Sequence, residues 1–186
     1  MIKIFTDLFK YIQNPILEKD SNTSFLYRLS VFTVLLIFSY FVVFFFLIIL
    51  GVLTTIGFIE QGEHVFDDIF EENSALQVFL LASVMAPFFE ELIFRGPLIF
   101  FKNPKTFKLA FFGFAILFGY VHLFNFKMSI NVLLFSPILV APQIYLGFVL
   151  GYIRVKFGLH WSMFMHAVYN GILVSISLLA IDALKQ

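Results

Sequence analysis

Five ionisable side chains, Glu90, Glu91, Arg95, His122 and His166, lie in stretches otherwise long and apolar enough to cross a membrane, with Asn170 beside them. Each costs roughly 2.5–3.5 kcal/mol to insert at mid-helix, so each is by default a functional group. Glu91 and Arg95 stand four residues apart with the acid first, which puts them on one helix face where they can pair. Glu90 lies about 100° around the same helix and cannot use that guanidinium equally well. It is the less compensated carboxylate. A carboxylate set between desolvation and nearby cations can act as a general base near neutral pH. His166 and Asn170 share a face at the same spacing, as do Phe118 and His122.

These groups need apolar helices to hold them. The chain has 186 residues, 61% hydrophobic, 20% aromatic and 13% charged, with 29 Phe and a single Trp. Soluble domains carry about twice that share of charge, and a domain this small exposes much of its surface. The solvent for that surface is therefore lipid. There is no cysteine, which removes disulfides, thiolate nucleophiles and Cys-bound zinc. No basic run of the kind that binds nucleic acid is present, so no nucleic-acid partner is expected.

A crossing needs about 20 apolar residues. Five segments qualify: Leu29 to Leu53, Ala75 to Phe101, Phe107 to Phe126, Val132 to Ile153 and Leu159 to Ile181. The fourth holds Pro137, Pro142 and Gln143, and the second holds Pro87 and Pro97, which can kink it. The predicted fold is all-α: a polytopic bundle of about five transmembrane helices. Ile2, Phe5, Phe9 and Ile12 recur at helical spacing before Asn14-Pro15, which predicts a short N-terminal interfacial helix. The N-terminus lacks the pattern of a cleavable signal. Residues 1–28 read as an N-terminal cytoplasmic or interfacial segment and residues 29–186 as one membrane-embedded domain.

Charge sets the expected topology. Lys3, Lys10, Lys19 and Arg28 precede the first crossing. Lys102, Lys105 and Lys108 follow the second, and Arg154 and Lys156 follow the fourth. If five segments alternate, all three clusters share one side, the cytoplasmic one. The stretch from Glu60 to Glu72 is acidic without Lys or Arg and belongs outside. The expectation is a multi-pass protein of a bacterial-type cell (inner) membrane, N-terminus inside and C-terminus outside.

Depth is consistent with a single site. Counted from those basic anchors at ~1.5 Å per residue, Glu90 lies ~18 Å in, His122 ~21 Å and His166 ~15 Å. Three helices can therefore bring them to one level. A structural clamp or an ion pathway would use similar groups, but transporters usually show internal repeats and more crossings. His64, in the acidic stretch, and His160, beside the interfacial Trp161, take no role.

The residues Glu90-Glu91-Leu92-Ile93-Phe94-Arg95, Phe118-Gly119-Tyr120-Val121-His122 and His166-Ala167-Val168-Tyr169-Asn170 form three motifs in order. They resemble EExxxR, FxxxH and HxxxN/D of the CPBP family (CAAX proteases and bacteriocin-processing enzymes, also called Abi proteins), which includes the type II CAAX prenyl endopeptidase. Gly96 and Asn125 add to the likeness, which covers about Leu76 to Leu179. The resemblance implies an intramembrane endopeptidase acting on a membrane-associated protein or peptide. Glu90 would activate water and His122 position or polarise it. His166 and Asn170 would stabilise the oxyanion, and Glu91 and Arg95 would support Glu90.

Family members are described both as metalloproteases and as enzymes using only Glu and His. No HExxH platform is present, yet Glu90, His122 and His166 are the side chains that could hold a divalent metal such as zinc. Both cases stay open. The resemblance also carries a non-enzymatic alternative, a bacteriocin-immunity or membrane scaffold protein that keeps the polar cluster for packing. With one crossing before the motif helix, the chain is close to a minimal family core.

Overall fold

The computed structural model describes residues 2–58 and 73–184. The acidic stretch with His64, and Lys185, lie outside the described residues. Helix α1 is Ile2–Gln13 and α2 is Phe25–Thr55. The second crossing is composite: α3 (Ala75–Leu80), a π-helical turn (Leu81–Met85), α4 (Ala86–Phe94) and a 3-10 turn (Gly96–Phe100). Helix α5 (Pro104–Val121) ends in a 3-10 turn, His122–Asn125. Then come α6 (Ile130–Leu139), α7 (Ala141–Phe157) and α8 (Leu159–Leu184). Five apolar crossings result, and the chain is a helical multi-pass membrane protein.

Helix α2 shows how a uniformly apolar sequence still chooses a face. Val31, Phe32, Leu35, Leu36, Ser39 and Val43 are buried, one stripe at helical spacing, while Phe41, Phe45 and Ile48 face outward. In water that outer face would be untenable; in lipid it costs nothing. Packing rather than polarity contrast selects the buried stripe.

The bundle is organised around α7, which packs against α5, α8, α2 and α1. Leu146, Val149, Leu150 and Ile153 on α7 are sealed from solvent and lipid. Helix α5 approaches α7 closely because Gly119 and Gly147 carry no side chain: a Cβ at Gly147 would stand 3.1 Å from both the Cα and the carbonyl oxygen of Ala115, and one on Gly119 would run into Ile144. Gly158, at φ +109°, ends α7 in a conformation that L side chains rarely adopt.

Prolines divide two crossings that the sequence presented as continuous. The fourth runs Ile130–Phe157 but breaks at Val140, whose backbone leaves helical values at φ −96° and ψ −1°. Pro142, which has no N–H, then opens the first turn of α7. In the second crossing Pro87 removes another ladder donor, and the chain responds with a π turn instead of a simple kink.

Helix α1 forms where the apolar spacing placed it. The face it buries differs from the stripe read in the sequence: Leu8 and Tyr11 are buried, while Ile2 and Phe9 stay exposed. The Phe5 ring lies 4.7 Å from that of Phe38 on α2, and Tyr11 meets Phe111 and Tyr152 at 5.5 and 5.2 Å. The basic clusters share one end of the bundle. The Asp20 N–H donates to the Lys156 carbonyl at 3.1 Å, and Lys108 Nζ donates to the Gln13 carbonyl at 3.0 Å. Arg28 lies over the Phe157 ring.

Gly147→Ala is expected to force α5 and α7 apart and cost about 1–3 kcal/mol, as overpacking does. Gly113→Ala, whose new Cβ meets nothing within 4 Å, is expected to be neutral or stabilising by roughly 0.5–1 kcal/mol. Thermal unfolding of the two variants in one detergent measures the contrast.

Candidate active site

The motif helix α4 is short because its borders are chemically fixed. Pro87 sits in its first turn, and Gly96-Pro97 follows Arg95, which takes the C-cap position at φ −117° and ψ −27°. A residue near such a pair is turned out of continuous α geometry. The last α-type bond runs from the Arg95 N–H to the Glu91 carbonyl at 2.9 Å. Glu90 and Glu91 thus occupy the centre of the helix, and Arg95 closes it.

Glu91, Arg95 and His166 are almost wholly buried, at 0%, 1% and 1% exposure. Arg95 Nη1 lies 3.2 Å from Glu91 Oε1, the pairing their spacing predicts. The same oxygen lies 3.1 Å from His166 Nδ1. A carboxylate paired with arginine only accepts hydrogen bonds, so Nδ1 carries the proton. On the other side of the ring, His166 Nε2 faces Glu90 Oε2 at 3.6 Å, with the Glu90 side chain 27% exposed. Two adjacent carboxylates therefore address the two nitrogens of one imidazole. One is sealed and ion-paired; the other is partly open and set slightly back.

Phe118 is the surface on which these groups rest. It is fully buried. The Arg95 guanidinium carbon lies 3.9 Å from the centre of its ring, while His122 and His166 meet the ring edge-on at 4.7 and 5.5 Å between centroids. Among the described residues the two Nη atoms of Arg95 make no hydrogen bond of good geometry, so the ring face and the Glu91 charge carry its compensation.

His122 caps α5 at the point where it tightens into the 3-10 turn. Its Nδ1 is 2.7 Å from the Phe118 carbonyl and donates to it, which leaves Nε2 with a lone pair. Glu90 and His166 both act on it electrostatically.

Asn170, one turn along α8 from His166, is tied to the second crossing. In the π turn the Ala86 N–H donates to the Leu81 carbonyl. The residue five beyond Ala82 is Pro87, which has no N–H to give. The Ala82 carbonyl is left over, and Asn170 Nδ2 donates to it at 3.0 Å. One amide hydrogen is used there, and the second remains.

The structure thus gathers Glu90, Glu91, Arg95, His122 and His166 from α4, α5 and α8, and sets Asn170 beside the π turn. Sequence reasoning did not anticipate the platform role of Phe118, the orphaned Ala82 carbonyl or buried Ser83. An aromatic residue four before a histidine and a proline five after Ala82 were the available signals. Among the described residues no three His, Asp or Glu side chains form a metal-ligand set. The three side chains offered as zinc ligands, Glu90, His122 and His166, therefore make no three-ligand centre in this arrangement.

Fold and site together define a multi-pass helical membrane protein with a carboxylate–histidine centre in its apolar interior. The chain belongs to the family described as type II CAAX prenyl endopeptidase Rce1-like, which it matches over residues 72–172, more than half its length and spanning every residue of the site. This is a protease family, so lipid surroundings and a protein or peptide substrate accompany membership. No curated protein and no solved structure matches the chain.

Removing one member of a buried ion pair strands the other. Glu91→Ala and Arg95→Ala are each expected to destabilise the protein by about 3–5 kcal/mol. The double variant is expected to lose clearly less than the sum, as coupled neighbours do. Additive losses in denaturation by a chaotrope would show that the two do not pair.

Proposed function

We propose that the chain is an intramembrane endopeptidase that hydrolyses a peptide bond of a membrane-associated protein or peptide, with Glu90 activating the water. The observation that carries this reading is the division of labour between neighbouring carboxylates. Glu91 is sealed and held by Arg95 and His166, whereas Glu90 keeps an open side and faces His166 Nε2 at 3.6 Å. A base must reach both solvent and a proton relay, and of the two only Glu90 does.

The chemistry follows from the donors and acceptors. Water hydrogen-bonded to Glu90 gives it a proton while its oxygen bonds to the substrate carbonyl carbon. His122 Nε2, freed by the bond from Nδ1 to Phe118, steadies that water. The carbonyl electrons move onto oxygen, where the remaining Asn170 amide hydrogen can donate to the developing charge; His166 joins it through Nε2 in its imidazolium form, since its Nδ1 hydrogen is committed to Glu91. The C–N bond then breaks, and the proton passes from Glu90 to the leaving amine. A metal would act at this same place as a Lewis acid, but Glu90, His122 and His166 do not form the three-ligand set it needs, and no step above uses one.

Topology and extent belong to the same reading. Residues 29–186 are the membrane-embedded protease domain and residues 1–28 its cytoplasmic or interfacial segment. The basic end faces the cytoplasm of a bacterial-type cell, so the C-terminus lies outside. A non-catalytic role in bacteriocin immunity or scaffolding has one observation in its favour: Asn170 is partly used for packing, on Ala82.

In proteoliposomes given a mixture of apolar reporter peptides and read by mass spectrometry, Glu90→Gln is expected to lower cleavage by about 10²–10⁴-fold. Asn170→Ala is expected to lower it by about 10²–10³-fold. The Glu90→Gln variant should melt at the wild-type temperature. Cleavage by Glu90→Gln at the wild-type rate would leave the scaffold role standing. Treatment with 1,10-phenanthroline is expected to leave the rate unchanged; a loss restored by added zinc would assign the site a metal.

A further inference from the structure

The basic end of the bundle contains a second built feature, away from the carboxylate–histidine centre. A cavity of about 170 Å³ is lined by Leu17, Lys19, Leu98, Ile99, Arg154 and Val155. Four aliphatic side chains form its walls, two cations stand at it, and no carboxylate lines it. Most neighbouring cations already have protein partners. Lys156 lies over the Tyr11 ring, Arg28 over Phe157, and Lys108 donates to the Gln13 carbonyl. Asp20, next to Lys19, accepts from the Tyr27 hydroxyl at 3.0 Å and from the Asn22 N–H at 2.8 Å. Glu18 is exposed and does not line the cavity.

Lys19 and Arg154 are different. Lys19 makes no hydrogen bond or ion pair within the described residues. Arg154 donates from Nε to the Arg95 carbonyl at 3.2 Å. That bond orients its guanidinium and leaves both Nη groups for another acceptor.

We propose that this cavity binds an anionic glycerophospholipid, its phosphate between Lys19 and Arg154 and the start of an acyl chain along Leu17, Leu98, Ile99 and Val155. Charge complementarity specifies an anion, and the aliphatic walls specify an amphiphile over free phosphate. Basic pockets between membrane helices recognise lipid phosphates in this way. Ile99 is 44% exposed and Phe100 beside it 76%, so the cavity borders a surface made for acyl chains. The occupant would brace the carbonyl end of the helix that carries Glu90 and Glu91, through Arg154 and Arg95. The proposal does not rest on the peptidase reading.

The test is native mass spectrometry of the detergent-purified full chain, titrated with equimolar phosphatidylglycerol and phosphatidylcholine. Wild type is expected to retain phosphatidylglycerol preferentially, and millimolar inorganic phosphate to leave it in place. A cation near a lipid phosphate contributes about a fivefold difference in affinity, so Lys19→Ala and Arg154→Gln should each weaken retention by about that factor. Lys105→Ala, a solvated lysine outside the cavity, should retain wild-type binding. If Arg154→Gln fails to fold, Lys19→Ala carries the test alone, since the Lys19 side chain makes no bond among the described residues. Equal retention of the two lipids, unchanged retention in Lys19→Ala, equal loss in Lys105→Ala, or displacement by inorganic phosphate would each overturn the proposal.

Discussion

The structure turns on one imidazole held between two carboxylates in an apolar interior. His166 meets Glu91 through Nδ1 at 3.1 Å and Glu90 through Nε2 at 3.6 Å. Glu91 can serve as the fixed side of this arrangement only because Arg95 compensates it. Taking such charges out of water costs several kcal/mol each, and their attraction repays this only when the geometry is good. The geometry here depends on α4 ending at Arg95, on the face of Phe118 under the guanidinium, and on α8 lying against α4 and the π turn. Each of those features has a local cause in Pro87, Gly96-Pro97 or the i, i+4 spacings.

The remainder of the bundle keeps those helices in register. Helix α7 supplies none of the polar side chains gathered at the site and meets it at Arg154, whose Nε donates to the Arg95 carbonyl, yet it packs against both α5 and α8. The close approach at Gly147 and Ala115 sets the α5 position and therefore the position of Phe118 and His122. The Asn170–Ala82 bond joins α8 to the second crossing at the one carbonyl that the π turn and Pro87 leave without a backbone donor. A defect in the helix ladder is thus converted into an interhelical contact, a common use of freed backbone groups in membranes.

Much of this was legible in the sequence. Apolar length and the segregation of Lys and Arg determine the five crossings and the shared basic end. The spacing of Glu91 and Arg95 gives their ion pair, and the position of Glu90 off that face gives its different environment. Four things were not legible. Pro87 announces a disturbance, but whether the helix kinks or takes a π turn depends on whether α8 can supply a donor for Ala82. Val140 breaks the fourth crossing at a residue with no breaking tendency of its own; Pro137 and Pro142 on either side do the work jointly. His122 lies at the end of α5 instead of within it, because the chain tightens to 3-10 geometry there and a count of residues cannot register that change. The face that α2 buries was equally hidden, since every face of it is apolar.

The division between a fixed and a working carboxylate can be read from His166 itself. Nitrogen-15 spectra of the imidazoles, with the His166 signals assigned by their loss in His166→Asn, report the partner of each ring nitrogen separately. The account predicts that Glu91→Gln shifts chiefly the Nδ1 resonance and Glu90→Gln chiefly Nε2. If both substitutions shifted the same nitrogen, or neither shifted any, the two carboxylates would not hold opposite sides of the ring and the central arrangement would be wrong.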